Sequence, residues 1–182
     1  MPAAGSVFGY GSLVAAAGAR PAVLCEHRRT WGVAMDNRVA VPGYKVYELP
    51  DGTRPAAAIA FLDVEPAAGI AVNGCLLPVD AAALATLDAR ERQYRRIDVT
   101  AAIDPPPAPG DGPVWTYAGR PEGRARVAAG RSGTAAVLIQ RAYVELVEAA
   151  FAALGADALA GYRAGTEPPP FPVTELARVD LA

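Results

Sequence analysis

The sequence predicts one α+β domain, a small mixed or antiparallel β-barrel with flanking helices. Three observations predict it. Short apolar runs rich in β-branched and aromatic residues dominate the first two thirds of the chain. The spacers between the early runs are too short for repeated strand–helix–strand crossovers. One long amphipathic helical pattern comes late, at residues 140–154.

The elements follow in order. Val7-Phe8-Gly9-Tyr10 reads as a short buried strand that ends at Gly11-Ser12, where glycine lets the backbone turn sharply. Arg29 to Met35 alternates, with Trp31, Val33 and Met35 on one face of a second strand. Ala56 to Leu62 is a third strand and Gly74 to Val79 a fourth, with Pro78 marking an edge. Asp80 is a good N-cap, and Ala81, Leu84 and Leu87 form the apolar stripe of a short helix fraying near Arg90-Glu91. Tyr94 to Val99 is extended again. Asp104 to Pro113, rich in proline and glycine, is a loop, and Val114 to Tyr117 a last strand. The Arg/Gly-rich stretch Gly119 to Gly133 reads as a mobile surface loop. Ala142, Tyr143, Leu146, Val147, Ala150 and Leu154 line one face of the late helix, which Gly155 stops. Pro168-Pro169-Pro170 stiffens the tail. No repeat and no linker divides residues 1–182, so a single domain is expected.

Composition narrows the chemistry. A net charge near −2 gives no basic footprint, so neither nucleic acid nor an anionic membrane surface is an expected partner. Lys45 is the only lysine. No apolar run is long enough to span a membrane, and Met1 to Ser6 lacks the pattern of a secretory signal. Cys25 and Cys75 make no disulfide framework, so a reducing cytoplasm is the expected compartment. His27 is the only histidine and has no closely spaced metal-ligand partner, so no metal and no cofactor is expected. None of Ser6, Ser12 and Ser132 sits in a nucleophile-elbow motif. General acid/base work by a carboxylate gains weight.

Two constellations carry the remaining signal. In Tyr10-Gly11-Ser12-Leu13 a strand runs into a glycine turn that presents successive N–H groups to one point, a nest suited to a carboxylate or carbonyl oxygen. A plain turn fits the same residues; a dinucleotide fingerprint fails because Val14 replaces its third glycine. The second is the charged run from Asp88 to Arg96. It is either a solvated face, or a segment in which Glu91 points into a cavity while arginines face out or pair with Asp88. A carboxyl withdrawn from water holds its proton more readily, as an acid/base requires. Trp31 and Trp115 read as core, Cys75 as an inert buried thiol, His27 as an exposed strand-edge residue, and Asp36-Asn37 as an Asx turn.

Taken together, the two constellations resemble the γ-glutamylcyclotransferase-like superfamily, the ChaC-type and AIG2-like proteins. In that family an early strand ends in a Tyr-Gly-Ser turn, here Tyr10 to Leu13. A Leu-Asp-x-x-Glu segment follows, here Leu87-Asp88 to Glu91, then a tyrosine and an arginine leading into a strand, here Tyr94 and Arg95-Arg96. Tyr143 is similar to the tyrosine that the family places against its substrate. The resemblance runs from about Val7 to about Leu154. Gln93 stands where many members carry glycine.

The resemblance implies release of 5-oxoproline from a small-molecule γ-glutamyl amine or peptide by attack of the substrate's own α-amine, with Glu91 as general acid/base. It implies that Tyr10, Gly11, Ser12, Leu13 and Tyr143 bind the substrate. Two alternatives stay open: a γ-glutamyl-binding or regulatory module without turnover, and a γ-glutamyl-removing step in a biosynthetic pathway. Arg38, Arg120 and Arg126 are candidates for meeting a distal carboxylate. The leaving amine and the oligomeric state are left open.

Overall fold

In the computed structural model, which describes residues 5–182, two long strands carry most of the sheet. Met1–Ala4, part of the expected domain and of the segment read for a signal, lie outside the described residues. Strand β1 is Gly5–Gly9, β2 Arg20–Asp36, β3 Lys45–Glu48 and β4 Ala58–Val79. Helix α1 is Ala81–Arg90, followed by β5 Tyr94–Asp98, β6 Ile103–Asp104 and β7 Val114–Gly119. The chain then forms α2 Pro121–Arg131, β8 Val137–Gln140, α3 Arg141–Leu154, α4 Ala156–Ala164, β9 Val173–Thr174 and β10 Ala177–Asp180.

The main sheet runs β5-β7-β1-β4-β2-β6, with β8 joining the first half of β4 and β9 pairing β8. β1–β7, β4–β8 and β8–β9 are parallel, and the other pairs of this sheet are antiparallel. The expected mixed barrel therefore takes the form of a sheet curled into a half-barrel. It ends at β5 and β6 rather than closing on itself. β10 and β3 form a separate antiparallel pair.

The third and fourth expected strands are one continuous strand. Asp63, Glu65, Pro66 and Gly69 interrupt the apolar pattern, but β4 runs on through them, paired with β2 at Asp63, Glu65 and Pro66 and again from Ala71. β2 is correspondingly longer than Arg29–Met35. The register shifts twice: opposite Glu26, whose φ is +56°, β4 carries the extra residues 67–70, and between Thr30 and Val33 β2 carries one extra residue. β2 ends opposite Leu76, so at Pro78 β4 has a neighbour on one side only, as a proline requires.

Helix α1 forms as its cap predicts: the Asp80 side chain accepts a hydrogen bond from the Ala83 N–H at 2.7 Å. It ends at Glu91, which leaves the helical region at ψ +51°.

The expected mobile loop at Gly119 to Gly133 is instead mostly helix α2. Pro121 opens it at a position where proline's missing N–H costs nothing. Its glycines are packing positions. A β-carbon on Gly123 would lie 2.5 Å from Val33 Cγ2, and one on Gly130 would lie 2.9 Å from the Phe171 ring. Val127 is buried against the sheet, and Arg124 reaches the buried Asp63 at 2.8 Å. Asp63 also accepts from the N–H groups of Gly119 and Val64, so it joins α2, β7 and β4.

The tail also returns to the fold. Beyond Pro168–Pro170, β9 extends β8 and β10 pairs β3. Arg29, which is 2% exposed, lies about 5 Å from the centres of the stacked Phe151 and Tyr162 rings and donates to Asn73 and Thr166, fixing α4 to the sheet. Leu146 departs from the expected apolar face: it is 47% exposed. Trp31 is buried as expected, whereas Trp115 is half-buried beneath the Arg96 guanidinium.

Candidate active site

The site lies where three apolar clusters meet. Tyr143 on α3 borders the main core and the cluster around Met35, Tyr47 and Phe61; Tyr94 on β5 borders that cluster and the one around Val7, Leu87 and Tyr117. Between them, β1 runs out into Tyr10 and Gly11, and the chain folds at once into a 3₁₀ turn over Ser12–Ala15. The Val14 N–H bonds back to the Gly11 carbonyl at 3.0 Å. The first amides of such a turn have no partner within it, so those of Ser12 and Leu13 are left for other acceptors. Glycine at position 11 leaves room for a close approach, since a β-carbon there would stand 3.0 Å from the Tyr143 hydroxyl.

Every site residue read from the sequence comes to this place. Tyr10, Gly11, Ser12, Leu13, Glu91 and Tyr143 line one recess of about 40 Å³, with Leu62, Tyr94 and Tyr117 around them. The recess opens into a cleft of about 900 Å³ that shares Ser12, Glu91, Tyr94 and Tyr143 with it. A water takes about 30 Å³ of liquid volume. The recess therefore admits a carboxylate or a carbonyl group, and anything attached to that group must lie in the cleft.

Glu91 reaches the boundary of the two spaces because α1 ends under it. Its side chain is 16% exposed, neither sealed in the core nor open to bulk water. The Arg90 Nε–H donates to its Oε1 at 3.0 Å. Asp88, three residues earlier, turns the other way. It pairs with Arg96 at 2.8 Å and accepts from the Tyr117 hydroxyl at 2.8 Å. The charged run thus divides: one carboxylate holds the surface arginine of β5, and the other faces the recess.

The tyrosines are held by backbone. Tyr10 donates to the Tyr117 carbonyl at 2.5 Å and Tyr94 to the Leu62 carbonyl at 2.8 Å. Burial pushes the phenols of Tyr10 and Tyr94 well above their ordinary range; the Asp63 carboxylate adds to this at Tyr10, and the neighbouring Tyr10 at Tyr94. Burial likewise raises Tyr143. All three stay neutral hydroxyls near neutral pH and serve as donors, not bases. Among the described residues, no cluster of three or more His, Cys, Asp or Glu is arranged to hold a metal ion.

The outer cleft contains residues that the sequence did not single out for function. Tyr44, Lys45 and Tyr47 enter from β3 and the turn before it, Phe61 from β4, and Arg178 and Asp180 from β10. The Lys45 ammonium lies 4.9 Å from the Phe61 ring centre and 5.6 and 5.9 Å from those of Tyr44 and Tyr47. Burial, then the charge of Arg178, lowers its pKa to about 8. The available signals were its being the only lysine and the strand-like run Tyr44-Lys45-Val46-Tyr47. The three arginines proposed for a distal carboxylate do not line the cleft. Arg38 pairs with Asp36 at 2.8 Å, Arg126 donates to the Ala34 carbonyl, and Arg120 is the residue just before α2. Asn37 is buried, its side chain bonded to the backbone of Tyr47 and Pro55.

Comparison with known proteins bears on this geometry. Residues 7–132, more than half of the chain, match a family model described as "Gamma-glutamyl cyclotransferase, AIG2-like". A solved structure titled "Gamma-glutamyl cyclotransferase" superposes with a TM-score of 0.52 at 12% identity, over 92% of this chain and 90% of that one. A second, from Homo sapiens and described as an uncharacterized protein, gives a TM-score of 0.50 at 13% identity, over 91% of this chain and 89% of that one. At such identities the two structures establish the fold alone. No curated protein matches the sequence.

Proposed function

Because this chain belongs to the γ-glutamyl cyclotransferase, AIG2-like family, we propose that it is an enzyme that cyclises the γ-glutamyl end of a small amine or peptide conjugate and releases 5-oxoproline. The observation that carries the reading is the shared recess, in which the Glu91 carboxylate and the Tyr10–Leu13 turn face one space.

In the proposed reaction the substrate supplies its own nucleophile. Its α-amine attacks its γ-carbonyl carbon and closes a five-membered ring. A C–N bond forms, the C–N bond to the leaving amine breaks, and no water is consumed. Proximity does much of the work, since well-oriented intramolecular attack reaches effective molarities of about 10⁵ M or more. Glu91 takes the proton that the α-ammonium must lose and returns it to the departing nitrogen. Its position between recess and cleft suits a group that serves both atoms.

The amides of Ser12 and Leu13 and the hydroxyl of Tyr143 are the donors for the oxyanion that forms on the γ-carbonyl oxygen. One such donor is worth about 3 kcal/mol in comparable sites. The neutral state of the buried tyrosines fits this role. No cofactor is invoked, and the two free thiols suit a cytoplasmic location. No helix of the described residues is long and apolar enough to cross a membrane.

The test is incubation of the purified chain with a panel of γ-glutamyl amines, amino acids and peptides, scored for 5-oxoproline. Product from at least one class supports the reading. Binding without product would support the non-catalytic alternative.

A further inference from the structure

The outer cleft carries more positive charge than it neutralises. Four cations line it, Lys45, Arg90, Arg92 and Arg178, against two carboxylates, Glu91 and Asp180. Three of the cations are engaged. Arg90 binds Glu91, Arg178 binds Asp180 at 2.6 Å, and Arg92 donates to the carbonyls of Pro42 and Gly43 while its guanidinium lies over the Tyr44 ring. Lys45 is different. Asp180 stands opposite it in the β3–β10 register, but that carboxylate is taken by Arg178. Among the described residues the Lys45 ammonium forms no salt bridge and no hydrogen bond. Its neighbours are the faces of Phe61, Tyr44 and Tyr47.

Withdrawing an ammonium from water without an acceptor is costly, and aromatic faces return only part of that cost. A ligand anion in the cleft would supply the missing partner. With the γ-carbonyl in the recess, the α-amine must lie beside Glu91 at the boundary of the two spaces, which keeps the glutamyl end there. Lys45 lines the cleft but not the recess, so the part of the cleft beside it is left to the leaving amine. We propose that Lys45 determines specificity by binding a carboxylate carried on the leaving amine, so that the preferred substrates are γ-glutamyl conjugates of amino acids or peptides rather than of simple amines or polyamines. The inference rests on the cyclotransferase reading for the direction in which the substrate lies. The lowered pKa of Lys45 accords with an ammonium that lacks a counter-ion. Cationic leaving amines face the cleft's surplus positive charge and are disfavoured.

The experiment uses matched substrates that differ only at that carboxylate: γ-glutamyl-alanine, its carboxamide, and γ-glutamyl-ethylamine. The readout is the acid-to-amide ratio of kcat/KM for 5-oxoproline release. A charge-assisted hydrogen bond corresponds to a ratio of roughly tenfold or more in the native chain. Lys45→Met, which keeps the apolar stem, brings the ratio towards one, and Lys45→Arg keeps it. Thermal melting checks that both variants are folded. A native ratio near one, or a ratio unchanged in Lys45→Met, overturns the proposal. If no substrate yields 5-oxoproline, the cyclotransferase reading fails by itself, and calorimetric binding of the same acid and amide to the native chain decides this one. Tighter binding of the acid that Lys45→Met abolishes sustains it; equal binding or none refutes it.

Discussion

The Tyr143 hydroxyl stands 3.0 Å from the place a β-carbon on Gly11 would occupy. This single approach joins the first strand of the sheet to the longest helix at the mouth of the recess. It ties the glycine to a neighbour 132 residues away rather than to a turn type. Alanine at Gly11 must displace either the turn or the tyrosine. Gly11→Ala is expected to lower kcat/KM for 5-oxoproline release by tenfold or more while leaving the fold intact. Tyr143→Phe removes the colliding oxygen together with the proposed oxyanion donor, so it lowers kcat/KM by itself, and the double variant is expected to lose less than the product of the two single losses. A double-mutant cycle on kcat/KM measures the coupling, and additive effects would show that the two residues do not meet.

Glu91→Gln keeps the size of the side chain and its capacity to accept from Arg90, but the amide cannot carry a proton. Turnover is expected to fall by about 10²- to 10⁴-fold with the far-ultraviolet spectrum and melting temperature unchanged. Steady-state release of 5-oxoproline by the two proteins is the comparison; a variant with near-native rate removes Glu91 from the mechanism.

Gly123→Ala tests whether α2 is docked. In a free helix the change gains about 1 kcal/mol of helix propensity. Here the new carbon would lie 2.5 Å from Val33 Cγ2, and overpacking of this kind costs about 1–3 kcal/mol. Net destabilisation in urea unfolding is expected. A stabilised variant would mean that the helix stands away from β2.

The pH dependence of specificity follows from Lys45. Its pKa lies near 8, so it is charged below that value and neutral above it. The groups facing it are Arg178 and Asp180 from β10, Arg90 and Glu91 at the end of α1, and the phenols of Tyr44 and Tyr47, both raised by burial and neutral in this range. The preference for an acidic leaving group, read as the ratio of kcat/KM values, is therefore expected in full below about pH 8. It is expected to fall as the pH rises through that value. A ratio independent of pH from 6 to 10 would exclude Lys45 as its source.

Much of the site was legible in the sequence because its pieces are local. Asp80 names the start of α1 and hence the phase at which Glu91 leaves it. The Gly9–Ser12 run specifies a turn with uncovered amides, and Tyr143 sits on the strongest helical pattern in the chain. Local chemistry misled where tertiary contact took over. The glycines of α2 read as a loop because glycine lowers helix propensity; they are there because Val33 and Phe171 leave no room for a β-carbon. β4 read as two strands because polar residues broke its pattern, although pairing with β2 carries it through.

The sequence by itself determined the α+β class, the turn, the acidic segment and the late helix, since each is encoded within a few neighbouring residues. Only the tertiary structure decided that Asp88 faces an arginine while Glu91 faces the recess. It also decided that β3 and the C-terminal strand wall the cleft with Lys45 and Arg178. Which side chains share a space depends on chain segments far apart in sequence, brought together by the curl of the sheet, and no local pattern records that distance.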